Sequence, residues 1–304
     1  RVQKAVASLG YAPDFGGRVL ASGRTNTVGA VIPTMENAIF ARGLQAMQDV
    51  LGEAGITMLV ATSNYDTAQE ARQVRALVSR GVDGLLLIGE ARDPSVHEMI
   101  ERRALPAVLV WTWREDCPLP CVGFDNHAAA RAMTERVLAL GHRQIAMIAG
   151  ITRDNDRATQ RVQGVTAALR SAGLSLSPVT LIESAYSLTA GGDAARQLLG
   201  RTPRPTAIIC GNDVLAAGAA IAARESGLTV PGALSIAGFD DIDLAEIMVP
   251  ALTTVRVPHR RMGARAARLI LELMNGTAEA TRIRYETEIV YRSSLASPKE
   301  PTAR

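Results

Sequence analysis

Asp240, Asp241 and Asp243 stand close together in the stretch IAGFDDID, directly after an apolar run that is typical of a buried strand. A carboxylate at such a place can accept hydrogen bonds from the hydroxyl or amine groups of a ligand. It can equally accept from the first backbone N–H groups of a following helix and so cap it. These residues alone leave both roles open.

Polar side chains follow several other apolar runs in the same way. The segments are TSNYD, IGEARD, GITRDNDR, SAYSL and CGNDV. Asn and Asp can bind hydroxyl groups, and Arg can bind paired oxygens through two parallel N–H groups. No reactive motif accompanies them, since the chain lacks a phosphate-binding loop, a dinucleotide loop, a nucleophile elbow and an H-E-x-x-H pair. The pattern favours binding of a polar small molecule over enzymatic catalysis, and we predict no cofactor.

Apolar strands alternate with helical patterns after residue 25, which predicts parallel sheets covered by helices on both faces. The predicted strands are Val28–Ile32, Met58–Ala61, Gly84–Ile88, Ala107–Val110, Gln144–Ala149, Val179–Ile182, Ala207–Cys210, Leu234–Ala237 and Thr253–Val257. These strands are more than one doubly wound sheet would readily hold. We therefore predict an α/β fold with two doubly wound parallel-sheet subdomains and a cleft between them. Ligands of such sheets bind beyond the carboxyl ends of the strands, where the polar segments lie.

The composition indicates a folded protein without a membrane partner. Of 304 residues, 47 % are hydrophobic and 21 % charged, and no run of about 18 apolar residues occurs. Few cysteines (Cys117, Cys121 and Cys210) and the lack of a signal-peptide pattern favour a cytoplasmic location. Cys117 and Cys121 have no second Cys/His pair at zinc-site spacing, so no metal is predicted. The chain begins with Arg1 instead of methionine, and we expect a fragment whose upstream part is missing.

The net charge of +3 is confined to the first 24 residues, where Arg1, Lys4, Arg18 and Arg24 are balanced by Asp14 alone. The rest of the chain is therefore neutral. A basic arm on a neutral body indicates a polyanion as the partner of the arm only. The alternative is a solvated tail.

Six segments together carry a resemblance to a known family. They are RVQKAVASLGYAPDFGGRVLASGRTNTVGAVIP, VGFDN, LALGHRQIAMIAG, ICGNDVLAAGAA, GLTVPGALSIAGFDD and PALTTVRVP. In order and spacing they resemble the lactose/galactose-repressor (LacI/GalR) family of bacterial transcription regulators. Each segment is weak alone, but the set is specific and spans nearly the whole chain. The resemblance implies a core shaped like the periplasmic sugar-binding proteins, a homodimer, and operator DNA as partner of the full-length protein.

The resemblance also implies a division of the chain. Residues 1–25 would be a remnant of the helix-turn-helix headpiece with its hinge helix. An N-terminal core subdomain would comprise residues 26–124 with 257–286, and a C-terminal core subdomain residues 125–256 with 287–304.

Two residues of the N-terminal remnant are expected to contact DNA by this resemblance. They are Arg18 and Leu20, of which Leu20 matches the hinge-helix leucine that wedges into the minor groove. An ordinary packing leucine is the alternative. Asp14, Gly16 and Gly17 depart from the family pattern and put the stability of the hinge helix in question.

The family's effector-binding positions fall at the strand tips. They are Phe40, Ser63, Asn64, Asp125, Asn155, Arg157, Arg161, Tyr186, Asn212 and Asp240. In this assignment Phe40 stacks on the ligand, Arg161 grips it, and Asp240 accepts hydrogen bonds from it. We therefore favour the ligand role for Asp240, and helix capping for Asp241 or Asp243.

The arginines in and just after the segment GITRDNDR are compatible with either a charged or a neutral effector. Arg153, Arg157 and Arg161 are accompanied by Asp154 and Asp156. Unpaired arginines would favour a sugar acid, whereas internal Arg–Asp pairs would favour a neutral sugar. The sequence thus predicts a transcriptional regulator, a repressor, that responds to a sugar or sugar acid. The alternative is a periplasmic-type sugar-binding receptor with the same core and no DNA partner.

Overall fold

The computed structural model describes residues 23–298. The strands of this part are β1 (Thr27–Ile32), β2 (Thr57–Thr62), β3 (Gly84–Ile88), β4 (Ala107–Val110), β5 (Cys121–Gly123), β6 (Ile145–Gly150), β7 (Leu181–Ser184), β8 (Ala207–Cys210), β9 (Ser235–Ala237), β10 (Thr254–Arg256), β11 (Arg282–Arg284) and β12 (Glu288–Val290). Its helices are α1 (Ala38–Glu53), α2 (Thr67–Ser79), α3 (Pro94–Arg102), α4 (Asn126–Ala139), α5 (Asp156–Ser171), α6 (Leu188–Leu199), α7 (Asp213–Glu225), α8 (Asp243–Ile247) and α9 (His259–Asn275). Arg18 and Leu20, with most of the predicted headpiece remnant, lie outside the described residues.

The first sheet consists of six parallel strands in the order β11-β5-β4-β3-β1-β2. Strand β1 is buried along its whole length because both of its faces are covered. Ala30 and Ile32 pack in one core cluster with residues of α1 and α9, whereas Val31 packs in another with residues of α2 and α3. An unbroken apolar strand is what such two-sided burial requires.

The second sheet has four parallel strands in the order β7-β6-β8-β9. Its central strand β6 is buried throughout. Met147 shares a core cluster with residues of α4 and α5, and Ile148 shares another with residues of α6 and α7. The predicted α/β architecture of two parallel sheets is confirmed.

Beyond the two sheets, β10 pairs antiparallel with β12, beside β9, where Ala237 forms a bridge with Thr253. Helix α9 then packs against α1, strand β11 joins the first sheet, and the chain returns through β12. Three short strands, β5, β11 and β12, were not predicted from the sequence. Each has only three residues, too few to show a hydrophobic period. The subdomain boundaries themselves stay a prediction.

A polar residue caps each of the helices α1 to α7. The capping side chains are those of Asn37, Asp66, Asp93, Asp125, Asn155, Ser187 and Asn212. Each accepts a hydrogen bond from a backbone N–H of the first helical turn, which has no partner inside the helix. Polar strand tips therefore begin helices, and part of the polar pattern in the sequence has this structural cause.

The expected capping by Asp241 or Asp243 is wrong. Helix α8 begins after Ile242, and no side chain within residues 23–298 caps it. The carboxylate of Asp241 instead accepts a hydrogen bond from Arg256 and forms ion pairs with both Arg256 and Arg292. These two guanidinium groups satisfy Asp241 better than the N–H groups of a five-residue helix would.

No helix within residues 23–298 combines the length and the hydropathy needed to cross a lipid bilayer.

Candidate functional site

A cavity between the carboxyl ends of the two sheets brings together seven of the ten predicted effector-binding residues. We call it the central cavity. The predicted residues that line it are Phe40, Asn155, Arg157, Arg161, Tyr186, Asn212 and Asp240, and its other lining residues are Asn37, Ile39, Tyr65 and Trp111. Its volume is about 20 Å³, room for about one water molecule.

Arg161 and Asp240 form the charged centre of this cavity, and both are almost fully buried. Nη2 of Arg161 lies 3.5 Å from Oδ1 of Asp240. The guanidinium also donates to the Asn126 side chain at 2.9 Å and to the Gly211 carbonyl at 2.6 Å, and it stacks on the Phe239 ring. Asp240 Oδ1 accepts no hydrogen bond from any described residue. A buried carboxylate oxygen of this kind is a ready acceptor for a ligand hydroxyl group.

The backbone of Asp240 is held in an unusual conformation, with φ at 105°. Its N–H donates to the Val255 carbonyl at 2.8 Å. Trp111, on the opposite wall of the cavity, also has a positive φ, of 64°. Non-glycine residues in this region carry strain that the surrounding structure must hold, and such residues concentrate at binding sites.

Asp213, the first residue of α7, lies behind Asp240. Its carboxyl group accepts hydrogen bonds from the Thr254 hydroxyl at 2.5 Å and the Ile242 N–H at 2.9 Å. Burial, followed by the nearby negative charge of Asp240, raises the pKa of Asp213 to about 8. At neutral pH this shift favours the protonated form of Asp213, which reduces the negative charge behind Asp240.

Arg157 belongs to a second group of charges, which we call the charge network: Glu70, Arg92, Asp156 and Arg157. Nη1 of Arg157 donates to Asp156 at 3.0 Å, and Nη1 of Arg92 lies 3.5 Å from Glu70. Ala91 N donates to Asp156 at 3.3 Å, so the network joins the first sheet to α5. Two acids and two bases make it neutral overall.

The charge network depends on close approach of the backbone at Gly89, which has a φ of 74°. A Cβ atom there would overlap the side chains of Arg157 and Asp156. The Gly89 carbonyl also accepts a hydrogen bond from Arg92. Only glycine combines this backbone conformation with the space that the guanidinium group occupies.

Two tyrosines from opposite sheets meet at the edge of the central cavity. The ring centroids of Tyr65 and Tyr186 lie 5.8 Å apart with a tilt of 41°. Burial raises the pKa of each hydroxyl group above its ordinary value, so both stay neutral. Together they separate the central cavity from an open outer pocket of about 270 Å³, to which Arg153 also contributes.

Three predicted effector-binding residues do not line the central cavity. Asn64 lines the outer pocket, and Ser63 lines a cavity of about 10 Å³ beside Glu70. Asp125 caps α4 through a 2.8 Å hydrogen bond from the N–H of Ala128. Its carboxylate is thus engaged by the helix that starts immediately after it.

Sequence reasoning missed Asn37, Tyr65 and Trp111. Tyr65 is part of the TSNYD tip, and Trp111 directly follows β4, so position after a strand could have indicated both. Asn37 caps α1, and its residue type and position in the sequence indicated this capping role but no role in the cavity. His259, whose Nδ1 lies 2.9 Å from Nε1 of Trp111, was not among the predicted site residues either. Within residues 23–298 no cluster of three His, Cys, Asp or Glu side chains could hold a metal ion.

Comparison with known proteins gives consistent matches. The model of the periplasmic binding protein-like domain family matches residues 134–295. The HTH-type transcriptional regulator GntR of Escherichia coli K12 is 32 % identical over 276 residues, which are 91 % of this chain and 82 % of that protein. The HTH-type transcriptional repressor CytR of the same strain is 31 % identical over 297 residues, 97 % of this chain and 86 % of that protein.

Among solved structures, the complex of the transcriptional regulator CelR with cellobiose has a TM-score of 0.79 and 29 % identity. The match covers 96 % of this chain and 89 % of the CelR chain.

Proposed function

Because this chain belongs to the LacI family of transcription regulators, we propose that it represses transcription and responds to a small hydroxylated effector bound in the central cavity. The observation that carries this proposal is the cavity itself. Side chains that follow strands of both sheets converge there on the Arg161–Asp240 pair, and Asp240 keeps a buried oxygen to which no described residue donates a hydrogen bond.

The effector is a neutral sugar in this proposal. Arg161 is paired with Asp240, and Arg157 with Asp156, so neither offers a free positive charge to an acid group. Arg153 is exposed and forms no ion pair within residues 23–298, but it lies on the outer pocket. A site with balanced charges favours hydroxyl groups over carboxylates, since an added anion would be buried without its own partner. The related CelR was solved with cellobiose.

Effector binding requires the walls of the central cavity to move apart, because a sugar ring needs far more than 20 Å³. The sheets contribute opposite walls, so the movement changes their relative position. An effector can shift the equilibrium between two arrangements only by its difference in affinity for them. We propose that one arrangement presents the DNA-binding segment to the operator, with Arg18 and Leu20 in contact with DNA. This role places the protein in the cytoplasm.

The regulator proposal is favoured over a periplasmic-type receptor by the relatives, which are named as transcription regulators and matched over most of their length. Their names also give no support to an enzymatic role.

A homodimer is part of the same proposal. An apolar groove of about 400 Å³ runs between α6, α7 and the segment after α8, and Ile221 and Val249 line it. Val249 is 92 % exposed, and Ile247 beside it 74 % exposed. Apolar surface of this kind is typical of protein–protein contacts, and a second copy of the chain would bury it.

Thermal unfolding with matched neutral and acidic sugars tests the effector proposal. The probes are D-glucose, D-galactose, D-ribose and cellobiose against D-gluconate and D-glucuronate. A neutral effector at about 100 times its dissociation constant adds about 2.7 kcal/mol to the free energy of unfolding, and the midpoint rises by about 2–4 °C per kcal/mol. We expect this shift with a neutral probe alone.

The variant Asp240→Asn should weaken binding of that probe by about tenfold or more, because a hydrogen bond to a charged acceptor is lost. Asp193→Asn, at an exposed position of α6, is the control and should bind as the wild type does. A rise of the unfolding midpoint with the sugar acids alone would contradict the proposal of a neutral effector. An unchanged midpoint with all six probes would contradict the proposal of a sugar effector.

A further inference from the structure

His259 joins the two walls of the central cavity from behind. It is the first residue of α9, where the chain leaves β10, and its side chain is buried. Its Nδ1 lies 2.9 Å from Nε1 of Trp111, and its Nε2 lies 3.3 Å from the backbone carbonyl oxygen of Asp240. Trp111 follows a strand of the first sheet and Asp240 a strand of the second, so one ring spans both.

The two partners specify the protonation state of His259. The indole N–H of Trp111 can only donate, so Nδ1 of His259 must accept. The carbonyl oxygen of Asp240 can only accept, so Nε2 must carry the proton. Both hydrogen bonds exist together only in the neutral Nε2–H tautomer.

Both partners are residues whose backbone would not adopt this conformation unaided. Trp111 has a φ of 64° and Asp240 a φ of 105°. Such conformations persist only where surrounding contacts enforce them. The His259 bonds are among those contacts, and they act on a wall residue, Trp111, and on the residue whose carboxylate faces Arg161.

Further packing ties His259 to the site. Its ring stacks against Trp111 at a centroid distance of 6.1 Å, and Trp111 meets Phe40 edge-on at 5.5 Å. A row of contacts therefore runs from Phe40 through Trp111 and His259 to the Asp240 carbonyl. Of these residues, Phe40, Trp111 and Asp240 line the central cavity.

We propose that His259 is a positioning residue of the effector site: its neutral ring links Trp111 to the Asp240 carbonyl, and a second proton on Nδ1 breaks the bond to Trp111. This inference rests on the proposed function. A proton on Nδ1 would point at the indole N–H of Trp111, two donors would face each other, and the link between the walls would be lost.

The charged groups around His259 come from three directions: Asp240 after β9, Arg161 on α5 and Arg42 on α1. Burial lowers the pKa of His259 from its ordinary value. Asp240 opposes this effect, and the two arginines add to it. Loss of the Trp111 bond therefore belongs to acidic conditions, below the ordinary histidine pKa of about 6.5.

The first test uses nitrogen NMR of the intact protein labelled with ¹⁵N-histidine. The chain contains His97, His127, His142 and His259, and the His259 signal is the one absent from His259→Gln. We expect a neutral Nε2–H ring at pH 7 that takes up its second proton only below the ordinary histidine pKa of about 6.5. An Nδ1–H tautomer, or a ring that is charged at pH 7, would overturn the proposal whether or not a sugar binds.

The second test separates positioning from a merely structural role by the pH profile of binding. In His259→Gln the amide oxygen and N–H can replace Nδ1 and Nε2 but cannot titrate, whereas His259→Leu keeps the bulk and loses both bonds. The probes are D-glucose and cellobiose, measured by calorimetry at several values from pH 7.5 down to pH 5. Wild-type affinity should fall toward low pH, that of the Gln variant should stay level, and that of the Leu variant should be about tenfold weaker throughout.

Parallel pH profiles for wild type and His259→Gln would overturn the positioning role. If neither probe binds the wild type, the proposed sugar response fails for these sugars, and the NMR result still decides the state of His259. Circular dichroism confirms that each variant is folded before it is titrated.

Discussion

At the residue scale, three neighbouring carboxyl groups have different roles because their surroundings differ. Asp240 faces Arg161 in the central cavity, Asp241 is held by Arg256 and Arg292, and Asp213 is buried beside Thr254. Charge pairing keeps a buried carboxylate ionised, while burial without a cation favours the protonated acid. The environment, and not the residue type, assigns each role.

The raised pKa of Asp213 makes a prediction about stability. An unfolded chain releases this proton near the ordinary value of 3.8, whereas the folded protein keeps it until about pH 8. The folded state binds more protons in between, so this group's contribution to the free energy of unfolding falls as pH rises through that window. The slope is at most about 1.4 kcal/mol per pH unit.

In Asp213→Asn the amide replaces the protonated acid and can still bond Thr254 and Ile242. We expect the variant to gain stability relative to wild type as pH rises from 5 to 8. Urea unfolding at each pH measures the difference. Parallel curves for the two proteins would show that Asp213 is ionised over the whole range.

At the element scale, the crossing of α1 and α9 positions the rear wall of the site. Gly43 of α1 and Gly263 of α9 lie in contact, and the Trp111 ring packs on Gly43. Without side chains at these places the helices approach closely enough to hold the indole beside Phe40. Close packing of this kind tolerates little added volume.

The variant Gly43→Ala is expected to destabilise the protein by about 1–3 kcal/mol, because the new Cβ atom would overlap the Trp111 ring. Gly52→Ala is the matched control on the same helix. A Cβ there meets nothing within 4 Å, so it should be neutral or stabilising by up to about 1 kcal/mol. Thermal and urea unfolding measure the stability of both variants. An equal change in the free energy of unfolding for the two would refute the close packing of Trp111 on Gly43.

At the scale of the whole molecule, two features link parts that are distant in sequence. The charge network joins Glu70 and Arg92 near the first sheet to Asp156 and Arg157 on α5. The apolar groove between α6, α7 and the segment after α8 contains the exposed Val249, and the exposed Ile247 lies beside it in the chain. We propose that the first favours one arrangement of the two walls and that the second packs against a partner copy.

The variant Val249→Asp is expected to dissociate the proposed homodimer, because a charge would be buried without a partner in the interface. A loss of about 2 kcal/mol or more, about 30-fold in the dissociation constant, is typical of central interface positions. Val179→Asp, at an exposed valine outside the groove, is the control. Analytical ultracentrifugation at micromolar concentration measures both, and a monomeric wild type would rule the homodimer out.

Much of the fold follows from local patterns in the sequence. The strand over Gly84–Ile88 and that over Ala107–Val110 were predicted to the residue, because an unbroken apolar run bounded by breakers has few other solutions. The strand order, and the pairing of β11 with β5 across 161 residues of chain from Cys121 to Arg282, could not be read in this way. Pairing over such a separation depends on contacts that leave no local period.

Part of the candidate site could likewise be predicted from the sequence, and the rest depends on the folded chain. The sequence placed Phe40, Arg161 and Asp240 at strand tips, and parallel strands bring their tips to one edge of a sheet. The burial of Asp240 opposite Arg161, the use of Asp125 as a helix cap and the link through His259 emerged from the folded chain. Hydrogen bonds and ion pairs depend on distances of about 3 Å between atoms, and residues far apart in sequence reach those distances only when the whole chain has packed.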